Sequence, residues 1–112
     1  MALTVKRLAE LSAEDVKGHT GFKARAILDL PQKGVTIRVL NLAPGAIGPV
    51  PAHRHADVHF FLVLEGTLDL EVEGQTHKIP GGSCVEVDPG KIHQLRCAAT
   101  RETTVLAIKW VE

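Results

Sequence analysis

The chain has 112 residues, of which 45% are hydrophobic and 23% are charged, and its 13 lysines and arginines balance 13 aspartates and glutamates. This composition is typical of one folded domain and differs from that of a disordered chain, so we expect a single domain over residues 1–112. A net charge of zero gives no field to attract a polyanion, and no apolar stretch approaches the roughly 20 residues that span a bilayer; neither nucleic acid nor a membrane is expected as a partner.

The first eleven residues contain Lys6, Arg7 and Glu10, which interrupt the apolar core that a signal peptide needs. We therefore expect a cytoplasmic protein. In that compartment thiols are usually reduced, so Cys84 and Cys97 are expected to be two free thiols rather than a disulfide.

The predicted elements are almost all strands. Residues 12–17 are predicted as a short helical turn, because Ser12 and Asp15 have the spacing of a capping pair. Beyond them, short stretches rich in Val, Ile and Leu alternate with Gly and Pro turn signals, which is typical of an all-β barrel or sandwich. The predicted strands are residues 24–30, 35–42, 58–65, 67–73, 76–79, 83–87, 92–97 and 103–111, and the predicted turns are residues 31–34, 65–66, 73–75, 80–82 and 88–90.

Two strands predict different surroundings, because side chains alternate between the faces of a strand. In residues 67–73 the apolar side chains share one face, so Asp69 and Glu71 are expected on an exposed face. Residues 58–64 are apolar on both faces, which is typical of a strand buried twice. One face carries Phe61 and Val63 beside His59, and the other carries Phe60, Leu62 and Leu64. The second face needs cover from a second sheet, the N-terminal segment or another subunit. Cover by another subunit would make the protein a homodimer, which is the expectation adopted.

Three of the six histidines fall within seven residues, at His53, His55 and His59. On an extended backbone, positions i, i+2 and i+6 point to the same face, so their imidazoles can converge. Imidazole is the commonest protein ligand of borderline divalent metals. The cluster therefore predicts a metal site, whereas the isolated His19 and His77 are expected to be surface or hydrogen-bonded residues.

Two segments resemble the two motifs of the cupin superfamily. The first cupin motif is Gly, about five residues, His-x-His, three or four residues, Glu, six residues, Gly; here Gly48 is followed by four residues, His53-Arg54-His55, three residues, His59, six residues and Gly66. The second motif is Gly, five residues, Pro-x-Gly, two residues, His, three residues, Asn. Here Gly82 is followed by five residues, Asp88-Pro89-Gly90, two residues, His93, three residues and Cys97. The resemblance is close over residues 48–97 and looser over the flanking strands.

This resemblance implies a single-domain, RmlC-like jelly-roll β-barrel that holds one divalent transition-metal ion: Fe, Zn, Ni, Mn or Cu. His53, His55 and His93 match the three histidine ligands, and His59 occupies the place of the glutamate ligand. Four neutral imidazoles would then carry the whole charge of the ion, which favours anionic substrates or bound hydroxide. The alternative for His59 is an indirect role, through a hydrogen bond that supports the site without contacting the metal.

The sequence departs from the cupin pattern at two further positions, because Pro89 stands one residue late and Cys97 replaces the final Asn. Cys97 has the parity of His93, which allows it to face the lumen, and a buried inert thiol is its expected role. Arg54 and Asp57 are expected to be solvated. Four polar strand residues are possible pocket residues: Arg38, Asn41, Gln94 and Lys109.

Cupins carry out many reactions, so the fold alone does not name one. The favoured interpretation is a metal-dependent enzyme of the dioxygenase type that acts on a small oxygen-rich organic molecule. The alternatives are a metal-dependent isomerase or lyase, or a cupin that binds a sugar-like molecule without catalysis. The chain has no tyrosine, so mechanisms that need a phenol, as in thiol-oxidising and sulfonio-lyase cupins, are not expected. No catalytic residue beyond the metal ligands is assigned, because the ligand motif contains no carboxylate.

Overall fold

The computed structural model describes residues 3–111, and their regular secondary structure is almost all strand. They contain only two short 3-10 turns, at Leu8–Glu10 and Pro31–Lys33. The strands are β1 (Glu14–Asp15), β2 (Thr20–Leu30), β3 (Val35–His53), β4 (Val58–Glu65), β5 (Thr67–Val72), β6 (Gln75–Pro80), β7 (Cys84–Val87), β8 (His93–Arg96) and β9 (Thr103–Trp110). Over this part of the chain, no helix has the length and apolar character needed to cross a membrane.

The helical turn predicted over residues 12–17 is wrong, because this segment contains strand β1. Glu14 and Asp15 pair antiparallel with Ala24 and Lys23 of β2. The Ser12 hydroxyl donates to the Glu14 carboxylate at 2.6 Å instead of capping a helix, and Lys23 Nζ donates to Asp15 Oδ1 at 2.5 Å. Pairing with a neighbouring strand has overridden the capping signal, and the helical turn of the N-terminal segment lies earlier, at Leu8–Glu10.

Strand β3 joins the two halves of the jelly roll. Its first part, residues 35–42, lies between β2 and β9, and its last part pairs with β8. The full order is β6-β5-β8-β3-β9-β4-β7, with β2 also paired to β3 and β1 to β2. The strand predicted over residues 35–42 therefore continues to His53, which carries the chain from one half of the barrel to the site.

The hydrophobic core fills the inside of the barrel. Its most completely buried members include Leu42, Val63, Leu68, Leu70 and Val105. They come from β3, β4, β5 and β9, whose inward faces meet between the two halves. The predicted all-β jelly-roll architecture is confirmed by this arrangement.

Of the two predictions about strand faces, the exposed face of β5 is wrong at Asp69, and the double burial of β4 holds only in part. Asp69 was expected to be exposed, but it is only 6% exposed, because it stands between Lys78 of β6 and Arg96 of β8 and accepts a hydrogen bond from Lys78 Nζ at 3.0 Å. On β4, Phe60 and Leu62 are half-buried and Leu64 is 51% exposed. The second face of β4 is thus only partly covered within one chain.

Candidate metal centre

Three imidazoles from three separate segments converge at one end of the barrel. His55 lies in the loop after β3, His59 is the second residue of β4, and His93 is the first residue of β8. One ring nitrogen of each lies within 4.8 Å of those of the other two. The ring centroids are 4.6 Å apart for His59 and His93, 5.1 Å for His55 and His59, and 5.5 Å for His55 and His93.

The strand pairings and one turn hold these rings together. In the β3–β8 pair His93 lies opposite His53, and in the β4–β9 pair His59 lies opposite Lys109. The loop that carries His55 is fixed by the turn that leads to β8, because Gly90 N–H donates to the His55 carbonyl at 2.7 Å. The Pro-Gly turn of the second motif thereby positions a histidine of the first.

His53 occupies a different place from the other three. It is exposed, and its ring centroid lies 5.7 Å from that of His55. It lines the same cavity as the converging rings, but it is not part of the group of three whose nitrogens converge. The structure therefore brings together His55, His59 and His93, and the assignment of His53 as a fourth ligand stays a prediction.

Burial keeps the three rings uncharged. It lowers the pKa of His59 to about 3, and the neighbouring titratable groups of His93, His55 and Lys109 act in the same direction, because each would repel a proton on this ring. Burial is also the main cause that lowers the pKa of His55 and of His93, although the hydrogen bond to the Lys91 carbonyl raises the latter. A neutral imidazole offers a lone pair to a metal, whereas an imidazolium does not.

Two polar atoms show that the residues fit a metal ion. His59 Nε2 is buried and has no hydrogen-bond partner among the described residues, and an unsatisfied buried polar atom is costly unless something binds it. His93 Nδ1–H donates to the Lys91 carbonyl at 3.1 Å, which fixes the ring and leaves its Nε2 for an ion. Metal–nitrogen bonds are about 2.0–2.1 Å long, so the three nitrogens, which lie within 4.8 Å of one another, would move closer together around one ion. The donor set accepts Fe, Zn, Ni, Mn or Cu.

The imidazoles open into a cavity of about 260 Å³. Its apolar wall includes Phe22, Leu40, Phe61 and Ala107, and its cationic wall consists of Lys17, Arg38 and Lys109. A site at the wall of a cavity this size leaves room for a small molecule beside a metal.

His19 also lines this cavity, a role that its isolated position in the sequence did not predict. Its ring packs edge-on against Phe22, with centroids 4.7 Å apart, and its Nδ1–H donates to the Lys17 carbonyl at 2.7 Å. The ring occupies the space that a Cβ at Gly48 would take. In the sequence, only the motif glycine Gly48 indicated a close contact at this place. The spacing of the motif does not identify His19 as the residue in contact.

The four polar residues proposed for the pocket divide into two pairs. Arg38 and Lys109 line the cavity. Asn41 instead donates to Glu102 and Thr104, and Gln94 donates to the Pro49 carbonyl at 2.9 Å. The last two side chains hold strands together and do not line the cavity.

Three further expectations have clear outcomes. Both cysteines are free, with Cys84 exposed and Cys97 buried, as expected. The Cys97 thiol donates to the Arg101 carbonyl at 3.3 Å, which is compatible with an inert buried role. Arg54 is exposed, but Asp57 is not simply solvated, because its Oδ2 lies 3.7 Å from Lys109 Nζ and its side chain is 23% exposed.

Comparisons with known proteins agree with this architecture. A family model described as "Cupin domain" matches residues 38–109.

A predicted oxalate decarboxylase from Thermotoga maritima superposes with a TM-score of 0.86 at 20% identity, covering 97% of this chain and 100% of that one. The polyketide cyclase RemF from Streptomyces resistomycificus has a TM-score of 0.84 at 21% identity, with 98% and 80% coverage. An RmlC-like cupin from Shewanella frigidimarina has a TM-score of 0.79 at 18% identity, with 99% and 93% coverage. A search of curated protein sequences finds no match. At these identities the structural likeness establishes the fold alone.

Proposed function

Since the chain belongs to the cupin-domain family, we propose that it is a metal-dependent enzyme of the oxygenase type that acts on a small oxygen-rich organic molecule. The observation that carries the proposal is the group of three neutral imidazoles at the wall of an open cavity. Structural metal sites are usually saturated by protein ligands, whereas catalytic sites keep open positions. Three histidines beside free volume match the second kind.

The ion that these residues would hold supplies binding positions for substrate oxygens and for O2, with a change of oxidation state when the ion is iron. His55, His59 and His93 would hold it, and the Lys91 carbonyl keeps the His93 ring oriented. Phe22 and Phe61 form part of the apolar wall beside the rings. An apolar wall lowers the local polarity, which strengthens electrostatic interactions beside it.

An isomerase or lyase is the second candidate function. Proton transfer in an isomerase or lyase needs a positioned base. The described residues that line the cavity have no carboxylate, and the bases left over once His55, His59 and His93 hold a metal are His19, His53 and the lysines. A reaction in which the metal performs the main step needs none of these side chains as a base, and for that reason we place the oxygenase first.

Metal analysis of untagged protein is the first experiment, followed by oxygen uptake. We expect about one equivalent of a transition metal, and uptake of O2 by the iron-loaded protein with at least one member of a panel of diketones, phenols and sugar acids. The double variant His59→Ala/His93→Ala should lose the metal. His77→Ala is the matched control, because His77 is exposed on β6.

Four results would count against the proposal. Metal below about a tenth of an equivalent, after incubation with Fe(II) or Zn²⁺ as well as after purification, would contradict the metal site. Unchanged metal in the double variant would show that other residues bind it. Conversion of a panel compound without O2 uptake would replace the oxygenase by an isomerase or lyase, and binding without conversion would indicate a non-catalytic cupin.

A further inference from the structure

The cavity beside the imidazoles has a strongly one-sided charge. Lys17, Arg38 and Lys109 line it together with histidines, and the described lining residues include no aspartate or glutamate. The chain as a whole has a net charge of zero, so the concentration of positive charge here is local. A cavity lined by one sign of charge attracts ligands of the opposite sign.

Arg38 is the cation of this wall that is best placed to bind a ligand. Its side chain is exposed and has no hydrogen bond or ion pair with any described residue. Lys109 differs, because the Asp57 carboxylate lies 3.7 Å from its Nζ and compensates part of its charge. An arginine presents parallel N–H donors that match a carboxylate, whereas a lysine acts as a point charge.

The sheet register places Arg38 and His59 on the same face of the sheet, two strands apart. Arg38 lies opposite Ala107 of β9, and Ala107 lies opposite Phe61 of β4. Two residues further along these strands, Thr36 lies opposite Lys109, and Lys109 lies opposite His59. Arg38 and His59 are therefore two strands apart across the sheet and two residues apart along it. With ordinary strand spacings, their Cα atoms are about 12 Å apart. The small side chain of Ala107 leaves the floor between them open.

We propose that the cavity selects a small organic acid with two acidic ends, whose oxygen-chelating end faces the imidazoles and whose distal carboxylate is bound by Arg38. The proposal rests on the metal site of the proposed function and adds the substrate class to it. A neutral sugar-like ligand would leave the Arg38 guanidinium unpaired, and a monoacid would use only one end of the cavity.

The test compares two probes that differ only at the distal end, 2-oxoglutarate and 2-oxopentanoate, by titration calorimetry on the Zn²⁺-loaded full chain. Both share the 2-oxo-carboxylate end, and only the first has a second carboxylate. We expect 2-oxoglutarate to bind about tenfold more tightly, since a charge-assisted hydrogen bond contributes on that scale. Arg38→Gln should reduce its affinity to that of 2-oxopentanoate and leave the binding of 2-oxopentanoate unchanged.

Two further variants make the result specific. Arg38→Lys should keep part of the preference, because it retains the charge without the paired donors. Arg101→Gln removes the same charge near the start of β9, at the end of that strand away from Lys109, and should leave both affinities unchanged. Equal affinities for the two probes in the unmodified protein, or a preference that survives Arg38→Gln, would overturn the proposal. Failure of the metal site is recognised separately, because zinc content is measured in the same samples.

Discussion

The contact between Gly48 and His19 makes the motif glycine sensitive to a single methyl group. A Cβ at position 48 would overlap Cβ, Cγ and Cδ2 of His19, so Gly48→Ala must displace this ring. The displaced ring loses its hydrogen bond to the Lys17 carbonyl and its edge contact with Phe22. These two interactions contribute about 1 kcal/mol each to the free energy of unfolding.

The expected destabilisation by Gly48→Ala is therefore about 1–2 kcal/mol, which is within the range for overpacking. For 112 residues the entropy of unfolding is about 0.24 kcal/mol/K, so the Tm should fall by about 4–8 °C. His19→Ala removes the same two interactions and should cost a similar amount.

A double-mutant cycle tests this explanation by urea denaturation of the four proteins. With position 19 reduced to alanine, the methyl group at position 48 has space, so Gly48→Ala/His19→Ala should be no less stable than His19→Ala alone. The interaction free energy between the two sites is then about 1–2 kcal/mol. Additive losses would refute the reasoning, because they would mean that Gly48 is required for a reason unrelated to His19.

Three other predictions follow from the site and the sheet. The metal-free protein should lose stability as the pH falls from 6.5 towards 3, because the unfolded chain binds a proton at His59 that the folded chain, with its pKa of about 3, does not. The slope is at most about 1.4 kcal/mol per pH unit for this residue, reduced by its partial exposure, and denaturation of His59→Gln should give a shallower slope. Ala107→Leu should fill the cavity floor and weaken 2-oxoglutarate binding in calorimetry while zinc content is retained; unchanged affinity would contradict the assigned floor. The expected homodimer should give a light-scattering mass of about twice 12.1 kDa. Leu62→Arg should halve this mass by placing a charge on the partly covered face of β4, and a monomeric mass of the unmodified protein would contradict the dimer.

The architecture was predictable because its signals are local. Turns such as those at residues 65–66 and 88–90 are marked by Gly and Pro, and the alternation of apolar residues indicates which face points inward. The missed strand β1 has only two residues, Glu14 and Asp15. It forms because β2 supplies a partner, and a pairing between separate segments leaves no periodic signal within either of them.

The site was predicted by a partly incorrect route. The same-face argument for His53, His55 and His59 assumed one extended strand, but β3 ends at His53 and the chain bends before β4 begins at Val58. His55 reaches the centre through a loop held by Gly90 N–H, while His53 is exposed and lies outside the group of three. Motif spacing identified the residues because proteins with the same motif share the same loops. Strand parity, in contrast, applies only where the backbone stays extended. Asp69 was misjudged for the related reason that parity does not reveal the cover from Lys78 and Arg96.

The histidine at position 59 and the cationic wall have a joint consequence for metal binding. With neutral imidazoles as ligands, none of the three converging rings offsets the charge of a divalent ion, and Lys109 opposite His59 adds positive charge that Asp57 compensates only in part. An organic dianion would supply the missing negative charge, so we expect 2-oxoglutarate to raise the affinity for Zn²⁺ by the same factor as Zn²⁺ raises the affinity for 2-oxoglutarate. His59→Glu places a negative charge at the centre and should reduce this coupling severalfold while Zn²⁺ still binds. Competition with a chromogenic chelator, with and without the acid, measures both proteins. Equal coupling in the two would mean that the charge of residue 59 does not govern which ligands the centre accepts.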